Sequence, residues 1–399
     1  MTDLLWPGDE RAGPLMSDAA FLTAMVLVEH VWLRELVEAG VAPAAAAADL
    51  LGMVSAEDTE ALAAAAERDG NPVSELLGLL RQRSGAETAR WVHRGLTSQD
   101  IIDTAMMLCA RDALAAVKEE LACQVRTLAV MVEKYPTPML ARTLTQPAVP
   151  STVAAKLANW LSGLLDGVDT LAALPMLPAQ VGGSAGTLAA TTELAGSAVS
   201  ALALSGSAAS ALGLATALPW HTTRSVVTRI GDVLVTCCDV WAHIANDVAV
   251  GSRREIGELA EGRSGGSSTM PQKRNPVLSV LIRRAALTAA PLAATLHAAS
   301  AASVDERADG GWHAEWATLR TLARRSVVAA AQTSDLLAGL DVNIERACAN
   351  LAAAGDVLAE QRLMTELTGR AAYPGYTGAT DHLIGAVLRR AQHHLEDAT

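Results

Sequence analysis

Aromatic residues are scarce: eight tryptophans, three tyrosines and one phenylalanine make up 3% of the 399 residues. Sheet cores draw on aromatic and β-branched side chains, so this supply argues against a β fold. Positive charge is also short. Acidic residues outnumber basic ones 43 to 31, for a formal net charge of −12. That excludes a typical nucleic-acid binder, whose affinity rests on cations that neutralise phosphates. The five cysteines (Cys109, Cys123, Cys237, Cys238, Cys348) include no C-x-x-C pair. Neither a zinc site nor a disulfide framework is therefore expected; they read as small buried residues in a reducing compartment. Met1-Thr2-Asp3-Leu4-Leu5 offers no basic segment leading into an apolar run. A secretory leader is thus not expected, and a cytoplasmic location is.

What is present is apolar and rich in alanine: 51% of residues are hydrophobic and 19% charged, the balance of a folded chain. Thr97 to Tyr135 contains neither proline nor glycine, and its apolar residues recur at three- and four-residue spacing until Tyr135-Pro136. Four more long helices are predicted, over Ser151–Leu171, Thr187–Leu218, Thr222–Val250 and Val277–Ala302, the last with a kink at Pro291. No Asp, Glu, Lys or Arg occurs between Glu193 and Arg224. Its Ala, Ser, Gly and Thr content favours a helix buried on all sides over a membrane span. The expected fold is all-α: an elongated central five-helix bundle over 97–334, with smaller helical domains over 1–96 and 335–399. Helices this long and apolar should bury further faces against copies of the same chain.

The most specific string is Gly265-Gly266-Ser267-Ser268-Thr269-Met270-Pro271-Gln272-Lys273-Arg274-Asn275-Pro276. Hydroxyls, a lysine and an asparagine converge there in a glycine/serine loop that stiffens at two prolines and opens a helix. Lys273 is one of four lysines in the chain, a point charge beside Arg274. Two other segments hold candidate groups. His93-Arg94-Gly95-Leu96-Thr97-Ser98-Gln99-Asp100 heads the first long helix, where hydroxyls and unpaired backbone N–H groups could hold a carboxylate. Arg142-Thr143-Leu144-Thr145-Gln146-Pro147-Ala148 precedes the second.

These strings resemble the motifs of the fumarase/aspartase superfamily: G-S-S-x-M-P-x-K-x-N, H-x-G-x-T-S-x-D and R-T-H-x-Q-x-A. The resemblance covers nearly the whole chain, with a shorter C-terminal domain. It implies a homotetramer whose sites are each built from three subunits. It also implies chemistry at a C–O or C–N bond beside a carboxylate, on a small polycarboxylate substrate and with no cofactor or metal. By resemblance, Ser267 moves the proton on a loop that closes over substrate, while Lys273 and Asn275 stabilise the developing charge. His93, Thr97, Ser98, Arg142, Gln146, Ser268 and Met270 would contact substrate. Gly182 and Gly183, in Gly182-Gly183-Ser184-Ala185-Gly186, resemble another pocket-lining segment; glycines that merely join two helices are the alternative.

The departures narrow the class. Many members pair a histidine, here Leu144, with a glutamate thirteen residues after the loop serine, here Val280. Losing both halves together leaves no buried unpaired group. The chain in this respect resembles the 3-carboxy-cis,cis-muconate cycloisomerase branch, whose attacking group is a substrate carboxylate that needs no base. Leu144 (more often tryptophan there) and Gln272 (more often histidine) depart even from that branch. The rival expectations are a fumarate-releasing lyase of the adenylosuccinate or argininosuccinate type and a helical scaffold without catalysis. His93 reads equally as a substrate contact or a structural residue, His313 and Glu315 are weaker candidates, and Arg142 and Arg224 are candidate counter-ions.

Overall fold

The computed structural model describes residues 3–262, 265–266, 270, 273–307 and 309–396. Four helices open the chain: α1 (Asp18–Glu38), α2 (Thr59–Asp69), α3 (Val73–Arg83) and α4 (Ala86–Trp91). The long helix α5 (Ser98–Lys134) leads into strands β1 (Pro138–Thr143) and β2 (Gln146–Thr152), then α6 (Val153–Ala172), α7 (Ala189–Ala195), α8 (Ala198–Ala211) and α9 (Ser225–Gly251). Strand β3 (Leu259–Glu261), α10 (Val277–Ala301), α11 (Gly310–Ala338), β4 (Leu340–Val342), α12 (Ile344–Ala353), α13 (Ala359–Thr368) and α14 (Thr380–Glu396) complete it. The all-α expectation holds.

The chain forms two compact units, each from three separated segments. The first comprises Met1–Ala116, Leu174–Leu234 and Ala290–Val327. In it, Gly231 of α9 lets helices approach closely: a Cβ there would stand 2.9 Å from Leu296 Cδ1. Arg324 of α11 is buried and donates to both Asp9 carboxylate oxygens and to the carbonyls of Gly13 and Leu15, fixing the N-terminal segment.

The second unit comprises Val117–Ala173, Val235–Ala289 and Val328–Thr399. Buried Gln124 of α5 joins three helices, donating to Ala330 O (2.9 Å) and accepting from Trp241 Nε1 (2.8 Å). Thr152 caps α6 by accepting from Ala155 N–H (3.0 Å). On α14, Arg390 reaches Asp166 and Asp169 of α6.

Several expectations need correction. The uncharged stretch is two helices, α7 and α8, turned by 104°. Gly196 takes φ 75° and Ser197 then caps α8 by accepting from Ser200 N–H, so a single helix cannot continue. Nor is it buried on all sides within the single chain, since Val199 and Leu202 are exposed there. The fifth long helix is instead α11, of 29 residues, which the sequence pattern did not reveal. Residues 138–152 form an antiparallel hairpin whose register pairs Thr143 with Gln146. Cysteine burial is also mixed: Cys109, Cys237 and Cys238 are buried, Cys123 and Cys348 exposed. Burial pushes the Cys109 and Cys237 thiols up to about 12, which makes them inert at neutral pH. By length and composition alone, α9 and α10 could also cross a bilayer, although Trp241, Ile244 and Val248 of α9 are packed inside the protein.

Candidate active site

In the first unit the groups at the head of α5 converge on Asp100, which is fully buried. Its Oδ2 accepts from the N–H of Thr97 and of Gly183, both at 2.9 Å. Its Oδ1 accepts from Gly182 N–H (3.0 Å), Gln180 Nε2 (3.2 Å) and His221 Nε2 (2.9 Å). The backbone N–H groups of Thr97, Gly182 and Gly183 are thus spent on a carboxylate of the chain itself. This corrects the expectation that the unpaired amides at the helix start are open to substrate: the Thr97 amide is taken by Asp100 and the Asp100 amide by Thr97 O (3.0 Å), which leaves the Thr97 and Ser98 hydroxyls as the candidate groups there. Asp100 and His221 were not singled out as site residues; the D of T-S-x-D was the available signal for the first, and nothing local marked the second.

His93 lies beside this cluster in a left-handed turn (φ 69°). Its Nδ1 donates to Glu29 Oε1 at 2.6 Å, and Glu29, on α1, is fully buried. A carboxylate behind one ring nitrogen fixes tautomer and direction, leaving Nε2 to face a partner.

Deeper in the same unit, Arg224 is buried between two carboxylates, donating to Asp103 (2.6 and 3.0 Å) and to Glu315 (2.6 to 3.2 Å). Trp312 Nε1 also donates to Asp103 (2.9 Å). Burial would lower the arginine's pKa, but Asp103 and Glu315 outweigh it and hold the group above its ordinary range. Burial lifts the Glu315 carboxyl, although Arg224 pulls the other way. Arg224 and Glu315 are therefore matched within the protein rather than poised for substrate. His313 is exposed, with its ring nitrogens 2.9 and 2.8 Å from the carbonyls of Asp309 and Gly70.

In the second unit the R-T-L-T-Q-P-A string is the hairpin tip. Leu144 (φ 48°) and Thr145 (φ 69°) form its two-residue loop. Positive φ at both positions is the geometry that suits hairpin twist, and it is normally left to Asn and Gly. A β-branched residue there is strained. The turn thrusts Leu144 outward, 96% exposed, with Gln146 exposed beside it. Arg142 is tied bidentately to Glu258 (2.8 Å twice), which Asn350 also holds (2.7 Å), so its charge is balanced inside the chain.

The base of the signature loop is closed by a two-way bridge: Gly265 N–H donates to Asn275 O (3.0 Å) and Asn275 N–H to Gly265 O (2.9 Å). A side chain at 265 would meet Val277 Cγ2 at 2.3 Å, so glycine is required. Buried Glu261 caps α10, accepting from Leu278 N–H, Ser279 N–H and Ser279 Oγ. Lys273 and Met270 are exposed and Asn275 half-buried, with Lys273 N–H donating to Met270 O (3.0 Å). Ser267 and Ser268 lie outside the described residues.

A sequence model of the Lyase family matches residues 18–290. Nitrosuccinate lyase of Streptomyces davaonensis is 39% identical over 96% of this chain and 81% of its own length. A 3-carboxy-cis,cis-muconate cycloisomerase of Pseudomonas aeruginosa is 36% identical over 94% of this chain and 82% of its own. Among solved structures, the 3-carboxy-cis,cis-muconate lactonizing enzyme from Pseudomonas putida superposes with a TM-score of 0.82 at 32% identity, covering 96% of this chain and 86% of that one. Fold, motifs and relatives together define a lyase-type enzyme. The chain belongs to the fumarase/aspartase superfamily.

Proposed function

We propose that this enzyme is a 3-carboxy-cis,cis-muconate cycloisomerase of protocatechuate (β-ketoadipate) catabolism. It interconverts the dienoate and γ-carboxymuconolactone by adding a substrate carboxylate to a double bond, reversibly. One C–O bond forms, the π bond breaks, and one proton goes to the adjacent carbon. The observation that carries this reading is the exposed pair of apolar residues at 144 and 280, 96% and 53% exposed, where an acid and its orienter would stand. A carboxyl group ionises near pH 4, so the attacking oxygen needs no base and the reaction moves a single proton. In this reading Ser267 delivers it, Lys273 and Asn275 stabilise the doubly charged aci-carboxylate, and no cofactor or metal takes part. His93, Thr97, Ser98, Arg142, Gln146, Gly182, Gly183, Ser268 and Met270 complete the proposed binding set, with Arg142 held in place by Glu258 and the Gly182 and Gly183 amides by Asp100.

The proposed assembly is a cytoplasmic homotetramer with sites shared between subunits, and neither nucleic acid nor membrane is a partner. Exposed Val277, Val280 and Leu287 on α10, with Val199 and Leu202 on α8, are the kind of apolar faces that copies would cover.

A second reading has its own support in the 39% identity to nitrosuccinate lyase. Nitrite is also a weakly basic anion, so its departure from nitrosuccinate, with loss of the neighbouring carbon-bound proton to give fumarate, needs no leaving-group acid either. Amine-releasing lyases do need one, which disfavours the adenylosuccinate type. Purified enzyme should consume the diene of 3-carboxy-cis,cis-muconate in an ultraviolet assay. Nitrite release from nitrosuccinate without diene loss would transfer the assignment to the second reading.

A further inference from the structure

The glycine segment 182–186 is shaped by a histidine. A Cβ on Gly182 would sit 2.6 Å from His221 Cε1 and 2.9 Å from Pro219 Cβ. One on Gly186 would meet His221 Nδ1 at 3.4 Å, and Gly186 is in any case left-handed at φ 71°. The imidazole therefore lies where a side chain at 182 would be and within contact distance of one at 186. Gly183, at φ 70°, turns its amide to Asp100, with Gly95 O 3.3 Å from its missing Cβ.

His221 is held at ring Nε2 and at its backbone carbonyl. A carboxylate only accepts, so Nε2 carries the hydrogen shared with Asp100 Oδ1. The His221 carbonyl accepts from Gln99 Nε2 at 2.8 Å. Gln180, whose Nε2 donates to Asp100, also accepts from Trp220 N–H at 2.6 Å through Oε1. Asp100 in turn fixes Thr97 N–H at the start of α5. His221, the glycine segment and the helix start thus share one buried carboxylate, and a displacement of any member moves the others. His221 Nδ1 is buried with no hydrogen-bond partner among the described residues.

We propose that His221, acting through Asp100, is a positioning residue. It holds the Thr97 and Ser98 hydroxyls and the 182–186 segment in the one arrangement that receives a substrate carboxylate. Its contribution therefore lies in binding rather than in the chemical step. This rests on the proposed carboxylate-holding role of Thr97 and Ser98, but not on which polycarboxylate is the substrate.

Three variants of the full assembled enzyme test it. His221→Phe keeps ring volume and removes the donor; His221→Gln restores an N–H near the Nε2 position; Gly182→Ala pushes a methyl against the ring. With the substrate that the enzyme turns over, His221→Phe and Gly182→Ala should raise KM about tenfold or more while kcat stays within about threefold, the pattern of lost uniform binding. His221→Gln should recover most of the loss. Calorimetric binding of propane-1,2,3-tricarboxylate should weaken in parallel, and this readout stands even if neither proposed reaction occurs. Unchanged KM and tricarboxylate affinity in His221→Phe would overturn the proposal. So would a loss confined to kcat, or no tricarboxylate binding by the parent enzyme. If His221→Phe fails to assemble, His221→Gln and Gly182→Ala decide by the same two readouts.

Discussion

The two units hold their candidate groups in opposite ways. In the first, the groups are mostly buried and paired within the chain: Asp100 takes five donors, Glu29 fixes His93, and Arg224 is enclosed by Asp103 and Glu315. In the second, Lys273, Met270, Leu144 and Gln146 stand at the surface, on a bridged loop base and a strained hairpin tip. Buried networks of this kind give fixed geometry, suited to holding a ligand in one pose. Exposed groups on short turns suit a site completed by neighbouring chains. The contrast fits the proposed reading, in which buried groups prepare recognition and Lys273 is presented at the surface.

The largest effect should come from the signature loop. Ser267→Ala should cut turnover by about 10²–10⁴, the usual worth of a positioned proton carrier, with assembly intact by light scattering. Unchanged turnover would break the assignment of the proton to this loop. Next, Arg224→Met should strand two buried carboxylates and cost about 3–5 kcal/mol in urea unfolding, against little for Lys273→Met. Lys273→Met should instead lower kcat by about 10²–10³ through lost charge stabilisation. If Lys273→Met were as destabilising as Arg224→Met, the contrast between the halves would fail. Glu29→Gln should cost about ten- to a hundredfold in kcat/KM, the worth of one hydrogen bond to a charged group.

The smallest effect is on pH dependence. Burial raises the folded-state pKa of Glu315 above its ordinary 4.5. A raised carboxyl contributes stability that is full below that ordinary value and is lost as pH rises through the folded-state value. The stability of the native enzyme relative to Glu315→Gln should therefore fall as pH rises above about 4.5. A flat difference across that range would mean that Arg224 fully offsets the burial.

Much of this was legible because proline and glycine punctuate the chain. The expected limits of α5, α6, α9 and α10 fall within three residues of the observed ones, since Pro136, Pro150, Pro219 and Pro276 fence them. Where side chains are monotonous the pattern is silent: Gly196-Ser197 breaks the uncharged stretch, yet neither residue stands out among so many small neighbours. The hairpin was hidden because its turn is Leu-Thr, which local propensity argues against, and only tertiary context sustains it. The motifs pointed to the segments that bear the site. They did not show that Asp100 takes the Thr97 amide at the helix start, nor that it gathers Gly182, Gly183 and His221, because these meet it from 82 to 121 residues away.

The claim that a single proton travels, and that it goes to carbon, is tested most directly by turnover of 3-carboxy-cis,cis-muconate in deuterium oxide, followed by NMR. The expected result is loss of the diene with one solvent deuterium on carbon in the lactone. A lactone free of carbon-bound deuterium, or a diene that persists with active-site occupancy verified, would contradict it.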